Sequence, residues 1–232
     1  MRYSAILFDA GDTLFRVPKP APIFHKLLTR HGCQIDVLDV ERIANDARRM
    51  VDEQLPRAVA DDLTVDGAMA ARRRDLYVDS IITLTEVADR EATRRAFFDL
   101  FVGSELFTLY EDVSETLARL RASGYRMGLV SNWEPRLPAL CAAHHIWEYF
   151  DFAVISEVEG FNKPHPALFQ RALALAGLPA ERVLHVGDKP REDIEGASSA
   201  GIGAVLLDRV GSASMERWPR ISSLHQIDGF LS

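Results

Sequence analysis

Carboxylate side chains follow apolar segments at two distant places in the chain. Asp9 and Asp12 come directly after the first apolar segment, and Asp188 follows a later one, with Asp193 five residues further on. Carboxylates, together with backbone carbonyls and water, are the ligands that Mg²⁺ prefers. We expect no histidine or cysteine to join them, which disfavours zinc. If these acids meet in the fold, they therefore predict a Mg²⁺ site.

Three other polar residues lie next to predicted strands or helices. Ser131 and Asn132 follow a third apolar segment, and Lys163 precedes a helical pattern. Several carboxylates brought together need compensating positive charge, and a lysine supplies it as a point charge, either to an anionic substrate or to a nucleophilic carboxylate. Lysine accounts for only four of the 27 basic residues, so its presence here favours a specific role.

The elements that would position these residues alternate along the chain from Tyr110 onward. Short apolar strands alternating with helices predict right-handed βαβ units, and hence a doubly wound, Rossmann-like parallel sheet of the α/β class. Ligands of such sheets bind at the carboxyl ends of the strands, which is where the polar residues fall. The predicted strands are Ser4–Phe8, Arg126–Val130, Phe152–Ile155, Val183–Val186 and Ala204–Leu207; the predicted helices are Val113–Ala122, Leu137–Ala143, Ala167–Ala176 and Asp193–Ala200.

A helical segment interrupts this alternation after the first strand. Pro18, Pro20 and Pro22 form a stiff connector, and beyond them apolar residues recur at helical spacing to about residue 102. We therefore predict two domains: residues 1–15 and 110–232 as an α/β catalytic core, and residues 16–109 as an all-helical inserted cap.

Composition excludes several classes of partner. The formal net charge of −7 leaves no polycationic surface, and the basic run Arg72–Arg74 is followed by Asp75 and Asp79, so we expect no nucleic-acid partner. No apolar stretch reaches the ~20 residues of a membrane span. The first short apolar run, Ala5-Ile6-Leu7-Phe8, stops at Asp9 and does not continue as a signal peptide, so we expect a soluble, cytoplasmic protein. The two cysteines lack Cys-x-x-Cys spacing, which indicates reduced thiols. The oligomeric state is not predicted.

Taken in order, the polar segments resemble the four motifs of the haloacid dehalogenase-like (HAD) hydrolase superfamily. The helical insertion between the first and second motifs is similar to the cap of subfamily I. Four motifs in the family's order are far more specific evidence for the superfamily than any one motif alone. The matching segments are Asp9-Ala10-Gly11-Asp12-Thr13-Leu14, Val130-Ser131-Asn132, Asn162-Lys163-Pro164-His165-Pro166, and Val186-Gly187-Asp188 with Asp193 and Gly196-Ala197.

The resemblance implies a phosphatase acting on a small phosphorylated metabolite. Asp9 would attack the phosphoryl group in line and form an aspartyl-phosphate, which water then hydrolyses. Ser131 and Asn132 would bind the oxygens of the transferring group, and Lys163 would balance their negative charge.

The resemblance also implies a ligand set for Mg²⁺. Asp9, the backbone carbonyl of Gly11 and Asp188 would coordinate the ion. Asp193 would support the metal through water, or would instead orient Lys163.

One departure from the family pattern concerns catalysis. Family phosphatases carry a second aspartate two residues after the nucleophile, as general acid and base; here Gly11 occupies that position, and an acid, Asp12, comes one residue later. In an extended segment that shift turns the side chain to the opposite face. Asp12 is thus either a turn or capping acceptor or a catalytic residue. Loss of the acid predicts a slow phosphatase, or one restricted to good leaving groups.

Two alternatives follow from Gly11. Haloacid dehalogenases also lack an acid there, but they resemble a metal-free design in which uncharged residues replace the Gly-Asp pair kept here as Gly187-Asp188. A catalytically weak HAD-fold binding or regulatory module is the second. Phosphonate hydrolysis would need a cap lysine, and only Lys19 and Lys26 are available.

Overall fold

The computed structural model describes residues 2–55, 63–102, 106–211 and 218–231. The strands are β1 Ala5–Phe8, β2 Phe15–Arg16, β3 Thr108–Leu109, β4 Arg126–Ser131, β5 Phe152–Ile155, β6 Val183–Gly187, β7 Gly203–Leu207 and β8 Arg220–Ile221. The α-helices are α1 Pro20–Arg30, α2 Val37–Gln54, α3 Gly67–Thr83, α4 Arg90–Val102, α5 Val113–Ala122, α6 Leu137–Ala143, α7 Ser156–Glu159, α8 Pro166–Ala176 and α9 Gly196–Ser199. Short 3₁₀ helices span Trp147–Tyr149, Ala180–Arg182 and Leu224–Phe230, and a π-helical turn spans Pro190–Glu195.

The main sheet confirms the predicted α/β class. Its six strands within the described residues run in the order β5-β4-β1-β6-β7-β8, and every neighbouring pair is parallel. The residues of β1 face two separate apolar clusters, with Ile6 and Phe8 on one side and Ala5 and Leu7 on the other. Burial on both faces explains why this strand is a continuous apolar run. Because β4, β1 and β6 are adjacent, their carboxyl ends meet at one edge.

The predicted strands and helices of this region agree with the structure to within one residue at each end, with one exception of type. The helix predicted for Asp193–Ala200 is instead a π-helical turn, Pro190–Glu195, followed by the short α9. Such turns are frequent at functional sites. The two-residue antiparallel pair of β2 and β3 was not predicted, because two residues give no periodicity.

The chain folds as two compact units. One comprises Met1–Val17, Leu63–Val65 and Phe107–Ser232 and contains the sheet. The other comprises Pro18–Asp62 and Asp66–Leu106 and contains α1 to α4. The division into a catalytic core and a cap remains a prediction about function.

The helical unit has an apolar cluster of its own, in which Phe24, Leu28, Ile81 and Phe97 are buried. Local sequence marks the beginning of α2, where Asp36 accepts a hydrogen bond from the backbone N–H of residue 39, as an N-cap should. No helix among the described residues is both long and apolar enough to cross a membrane.

Candidate active site

Asp9 lies immediately beyond β1, at the edge where β4 and β6 also end. Its backbone N–H donates to the carbonyl of Val186 at 2.9 Å, which continues the β1–β6 ladder and fixes the start of the loop. The residue is 6% exposed. Ser131, the last residue of β4, donates from Oγ to Asp9 Oδ1 at 2.9 Å. The parallel register therefore brings the first two predicted site residues into direct contact.

Lys163 bridges two carboxylates inside the protein. Its Nζ lies 2.6 Å from Asp9 Oδ1 and 2.5 Å from Asp193 Oδ1, with the side chain 1% exposed. Burial alone would lower the pKa of this ammonium. The charges of Asp193 and Asp9, and their hydrogen bonds, outweigh burial and raise the pKa above its ordinary value. Lys163 is therefore a fixed positive charge beside Asp9 at any pH near neutrality.

Asp193 has both carboxylate oxygens engaged. Oδ1 accepts from Lys163 and from His185 Nε2, and Oδ2 accepts from the backbone N–H of Lys189. Burial would raise its pKa, but Lys163 and then His185 lower it, so the group stays a carboxylate. A Cβ on Gly187 would lie 2.2 Å from Asp193 Cγ, so a glycine at the end of β6 provides the space for this side chain.

Asn132 binds the backbone of Lys163 from both sides. Its Oδ1 accepts from the Lys163 N–H at 2.6 Å, and its Nδ2 donates to the Lys163 carbonyl at 3.1 Å and to Glu192 Oε2 at 3.2 Å. These contacts hold the loop that presents Lys163 to the site. A phosphate contact from Asn132 remains a prediction.

Asp188 has a buried oxygen with unused acceptor capacity. Its Oδ1 is buried and accepts no hydrogen bond from the part of the chain that the structure describes. Burial, and then the charges of Asp9 and Asp193, raise the pKa of Asp188 to about 7. Ligand oxygens of these three carboxylates lie within 4.8 Å of one another. Lys189 opposes this rise in pKa, but three acids around one buried ammonium, that of Lys163, leave excess negative charge. This donor set fits a hard divalent cation.

The side chain of Asp12 forms its hydrogen bonds with residues other than Asp9, Lys163, Asp188 and Asp193. Its backbone has a φ of +54°, and Oδ1 accepts from the Val17 N–H at 3.2 Å and from Tyr110 Oη at 3.5 Å. Asp tolerates the left-handed region better than most residues and commonly caps turns there. These contacts favour the turn-acceptor role among the two that the sequence leaves open.

Gly11 lacks a positive φ, so no backbone strain requires a glycine at this position. A Cβ there would meet Trp133 Cζ3 at 3.2 Å and Val17 Cγ2 at 3.3 Å. The contacts are tight, but they are made by side chains that can shift slightly. The absent acid is thus a property of the sequence and not of a backbone that forbids one.

Sequence reasoning missed His185, Glu192 and Tyr110, all of which touch the predicted site residues. His185 had a usable signal, since it is the polar member of the apolar strand β6 and is buried with its neighbours. Glu192 had none beyond its position next to Asp193. Tyr110 approaches Asp12 across 98 positions of the chain, a pairing that no local pattern reveals.

Three comparisons agree on one kind of protein. A family model described as haloacid dehalogenase-like hydrolase matches residues 3–201. The chain is 30% identical over 208 residues to the haloacid dehalogenase-like hydrolase domain-containing protein 3 of Danio rerio, covering 88% of this chain and 84% of that protein. It is 29% identical over 222 residues to a glyceraldehyde 3-phosphate phosphatase of Methanopyrus kandleri, covering 91% and 87%.

Among solved structures, the 2-haloacid dehalogenase from Pseudomonas syringae pv. Tomato DC3000 is similar, with a TM-score of 0.69 and 25% identity. The similarity covers 99% of this chain and 98% of that one. The likenesses thus include proteins named for two different reactions on one fold.

Proposed function

This chain belongs to the haloacid dehalogenase-like hydrolases, and from that premise we propose that it is a Mg²⁺-dependent phosphatase of a small phosphorylated metabolite. The observation that carries the proposal is the state of Asp188. Its Oδ1 is buried close to two other carboxylates and accepts no hydrogen bond from the described residues, and its pKa is raised to about 7. Burying a charged oxygen without a partner costs free energy, and a bound cation would offset that cost.

Asp9, Asp188 and the backbone carbonyl of Gly11 would hold the ion. When bound, Mg²⁺ would neutralise part of the charge on the phosphoryl oxygens and on the carboxylates. Asp193 has both oxygens occupied by Lys163, His185 and a backbone N–H. Of the two roles open to it, we therefore assign it the orientation of Lys163 in place of direct coordination.

Asp9 would be the nucleophile. Ser131 and Lys163 both hold Oδ1, which leaves Oδ2 as the atom that attacks phosphorus. The Oδ2–P bond forms as the bond from phosphorus to the ester oxygen breaks, giving an aspartyl-phosphate and an alkoxide. Water then attacks the phosphorus, which releases inorganic phosphate and restores Asp9.

Lys163 and Ser131 would stabilise this transfer with groups already in place. Because Lys163 is charged and buried, its interaction with the phosphoryl oxygens is little screened by solvent. No carboxyl at position 11 protonates the departing alkoxide, so the proton comes from water. The proposal therefore includes slow turnover of esters with poor leaving groups.

A dehalogenase is the second candidate, favoured by Gly11 and by the similarity to the P. syringae enzyme. In that reaction a halide leaves without a proton, so the missing acid would have no cost. The two candidates differ at Asp188, because the metal-free design that dehalogenases resemble has no charge there. The presence of an acid at position 188, with a buried oxygen that accepts no hydrogen bond from the described residues, supports the phosphatase.

The experiment is a substrate panel of phosphorylated metabolites, p-nitrophenyl phosphate and 2-haloacids, each with Mg²⁺ and with excess chelator. We expect turnover of phosphate esters with Mg²⁺ alone, and its loss in Asp9→Asn. Asp36→Asn, which alters an exposed helix cap, is the control for a neutralised acid. Phosphatase activity that survives in Asp9→Asn or in chelator would sink the proposal. Haloacid turnover in chelator would establish the second candidate, and no turnover at all would indicate a binding module.

A further inference from the structure

We propose that His185 is a positioning residue for the reaction, acting through Asp193 and Lys163 on Asp9. The inference rests on the proposed function of Asp9, and it adds a residue that no motif of the sequence identified. His185 Nε2 lies 3.0 Å from Asp193 Oδ1. A carboxylate can only accept, so Nε2 carries the hydrogen of this bond.

His185 lies inside the core, on the face of β6 that packs against α8. It is completely buried, and the edge of its ring meets Phe169 with centroids 5.3 Å apart. Its second nitrogen, Nδ1, is buried and has no hydrogen-bond partner among the described residues. An unpartnered buried nitrogen opposes folding, and an apolar residue of similar size would avoid that cost. The side chain is therefore explained by its one donor and not by packing.

That donor restrains the carboxylate that in turn holds Lys163. Oδ1 of Asp193 receives bonds from Lys163 and His185, and Oδ2 receives one from the Lys189 N–H. Without His185, Oδ1 would be held only by the end of a long, rotatable lysine side chain. The carboxylate would then sample more than one orientation, and Lys163 Nζ would leave its position 2.6 Å from Asp9 Oδ1 for part of the time.

Two variants separate positioning from packing. His185→Leu keeps an apolar volume and removes the donor; His185→Gln keeps an amide N–H with a reach similar to that of Nε2. With p-nitrophenyl phosphate and Mg²⁺, we expect His185→Leu to lower kcat about 10-fold at unchanged KM, a typical loss for a hydrogen-bond partner of a site ligand. His185→Gln should recover most of that loss. Equal kcat in wild type and His185→Leu, or no recovery in His185→Gln, would overturn the inference.

A second readout does not depend on turnover. The chain has four lysines, and Lys163 is buried whereas Lys19, Lys26 and Lys189 are exposed. In protein labelled with ¹⁵N-lysine, we expect one slowly exchanging side-chain ammonium signal, assigned by its absence from Lys163→Met. The signal should persist in His185→Gln, and broaden or shift in His185→Leu.

The two readouts also keep the proposals apart. A wild type that hydrolyses no phosphate ester ends the proposed function, while the ammonium signal still tests whether His185 fixes Lys163. A Lys163 signal that is identical in wild type and His185→Leu contradicts the positioning role whatever the activity. If His185→Leu does not fold, His185→Met carries the same test, because an unbranched side chain adapts to the space.

Discussion

Lys163 and Arg209 each pair with carboxylates in the sheet-containing unit, and of these two only Lys163 lies in the proposed site. Lys163 bridges Asp9 and Asp193, with Asp188 nearby. Arg209 is 11% exposed and makes a two-pronged contact with the two oxygens of Asp112, at 2.9 and 3.0 Å. Burial of an ion pair therefore does not by itself distinguish a reactive site from a structural one.

Charge balance does distinguish them. Asp112 is matched by one guanidinium, and its Oδ2 also accepts from Ser223 Oγ and the Leu224 N–H. Burial would raise the pKa of Asp112, but these hydrogen bonds and Arg209 lower it. The Lys163 cluster instead has three carboxylates around one buried ammonium, and the pKa of Asp188 rises although Lys189 opposes the shift. We interpret the balanced pair as structural and the unbalanced cluster as the place where the proposed Mg²⁺ would bind.

The largest test of this difference replaces each cation with methionine. We expect Lys163→Met to lower kcat about 10³-fold, the scale of losing a preorganised electrostatic contact. Arg209→Met should instead lower the free energy of unfolding by about 3–5 kcal/mol, because it strands a buried carboxylate. The kcat of Arg209→Met per folded molecule should stay within a few-fold of wild type. Steady-state kinetics give kcat, and chemical denaturation of the same samples gives the free energy of unfolding.

Arg42→Met serves as the control for a lost surface cation, since its pair with Asp39 is exposed. The comparison fails if both buried variants lose kcat equally at equal folded fraction. It also fails if Arg209→Met leaves unfolding unchanged.

A second test neutralises one acid in each cluster. The folded pKa of Asp188 is raised, so stability tied to its neutral form is present at low pH and is lost as pH rises through about 7. Asp112 has a lowered pKa, so its contribution is present at neutral pH and is lost only in acid. In chelator at pH 8, Asp188→Asn should therefore raise Tm and Asp112→Asn should lower it.

The expected shifts differ in size as well as sign. A loss of about 3 kcal/mol in Asp112→Asn corresponds to roughly 6–12 °C for a chain of this length. The rise in Asp188→Asn should be about 2–4 °C, equivalent to ~1 kcal/mol. Added Mg²⁺ should raise Tm of the wild type and have less effect on Asp188→Asn. Tm shifts of the same sign in chelator would contradict the charge-balance explanation.

The sequence predicts one of these clusters and not the other. Asp9, Ser131 and Asp188 follow apolar runs, and parallel strands bring their carboxyl ends together whatever the details of packing. Asp112 and Arg209 are 97 positions apart, and neither stands in a recognisable pattern. A site built at strand ends is visible in a sequence because the sheet imposes the juxtaposition. An ion pair between two loops depends on tertiary structure alone.

Details finer than placement were also beyond the sequence. Strand order depends on non-local pairing, and the π-helical turn that aims Asp193 reads as an ordinary helix from its residues. The positive φ of Asp12 and the hydrogen bond from the Lys163 backbone N–H to Asn132 arise from loop geometry. The sequence therefore predicts which residues gather, but not which hydrogen bonds they make.

The smallest expected effect comes from restoring a general acid at position 11. Gly11→Asp would place a carboxyl two residues after Asp9, where it could serve as the general acid that protonates a poor leaving group. On an alkyl phosphate we expect about a 10-fold gain in kcat/KM, below the ~10²–10⁴ of an established acid, because Trp133 and Val17 must shift. p-Nitrophenyl phosphate, whose leaving group needs no proton, should show no gain. Gly11→Asn reproduces the crowding without the proton, so an equal gain in that variant would contradict the missing-acid explanation.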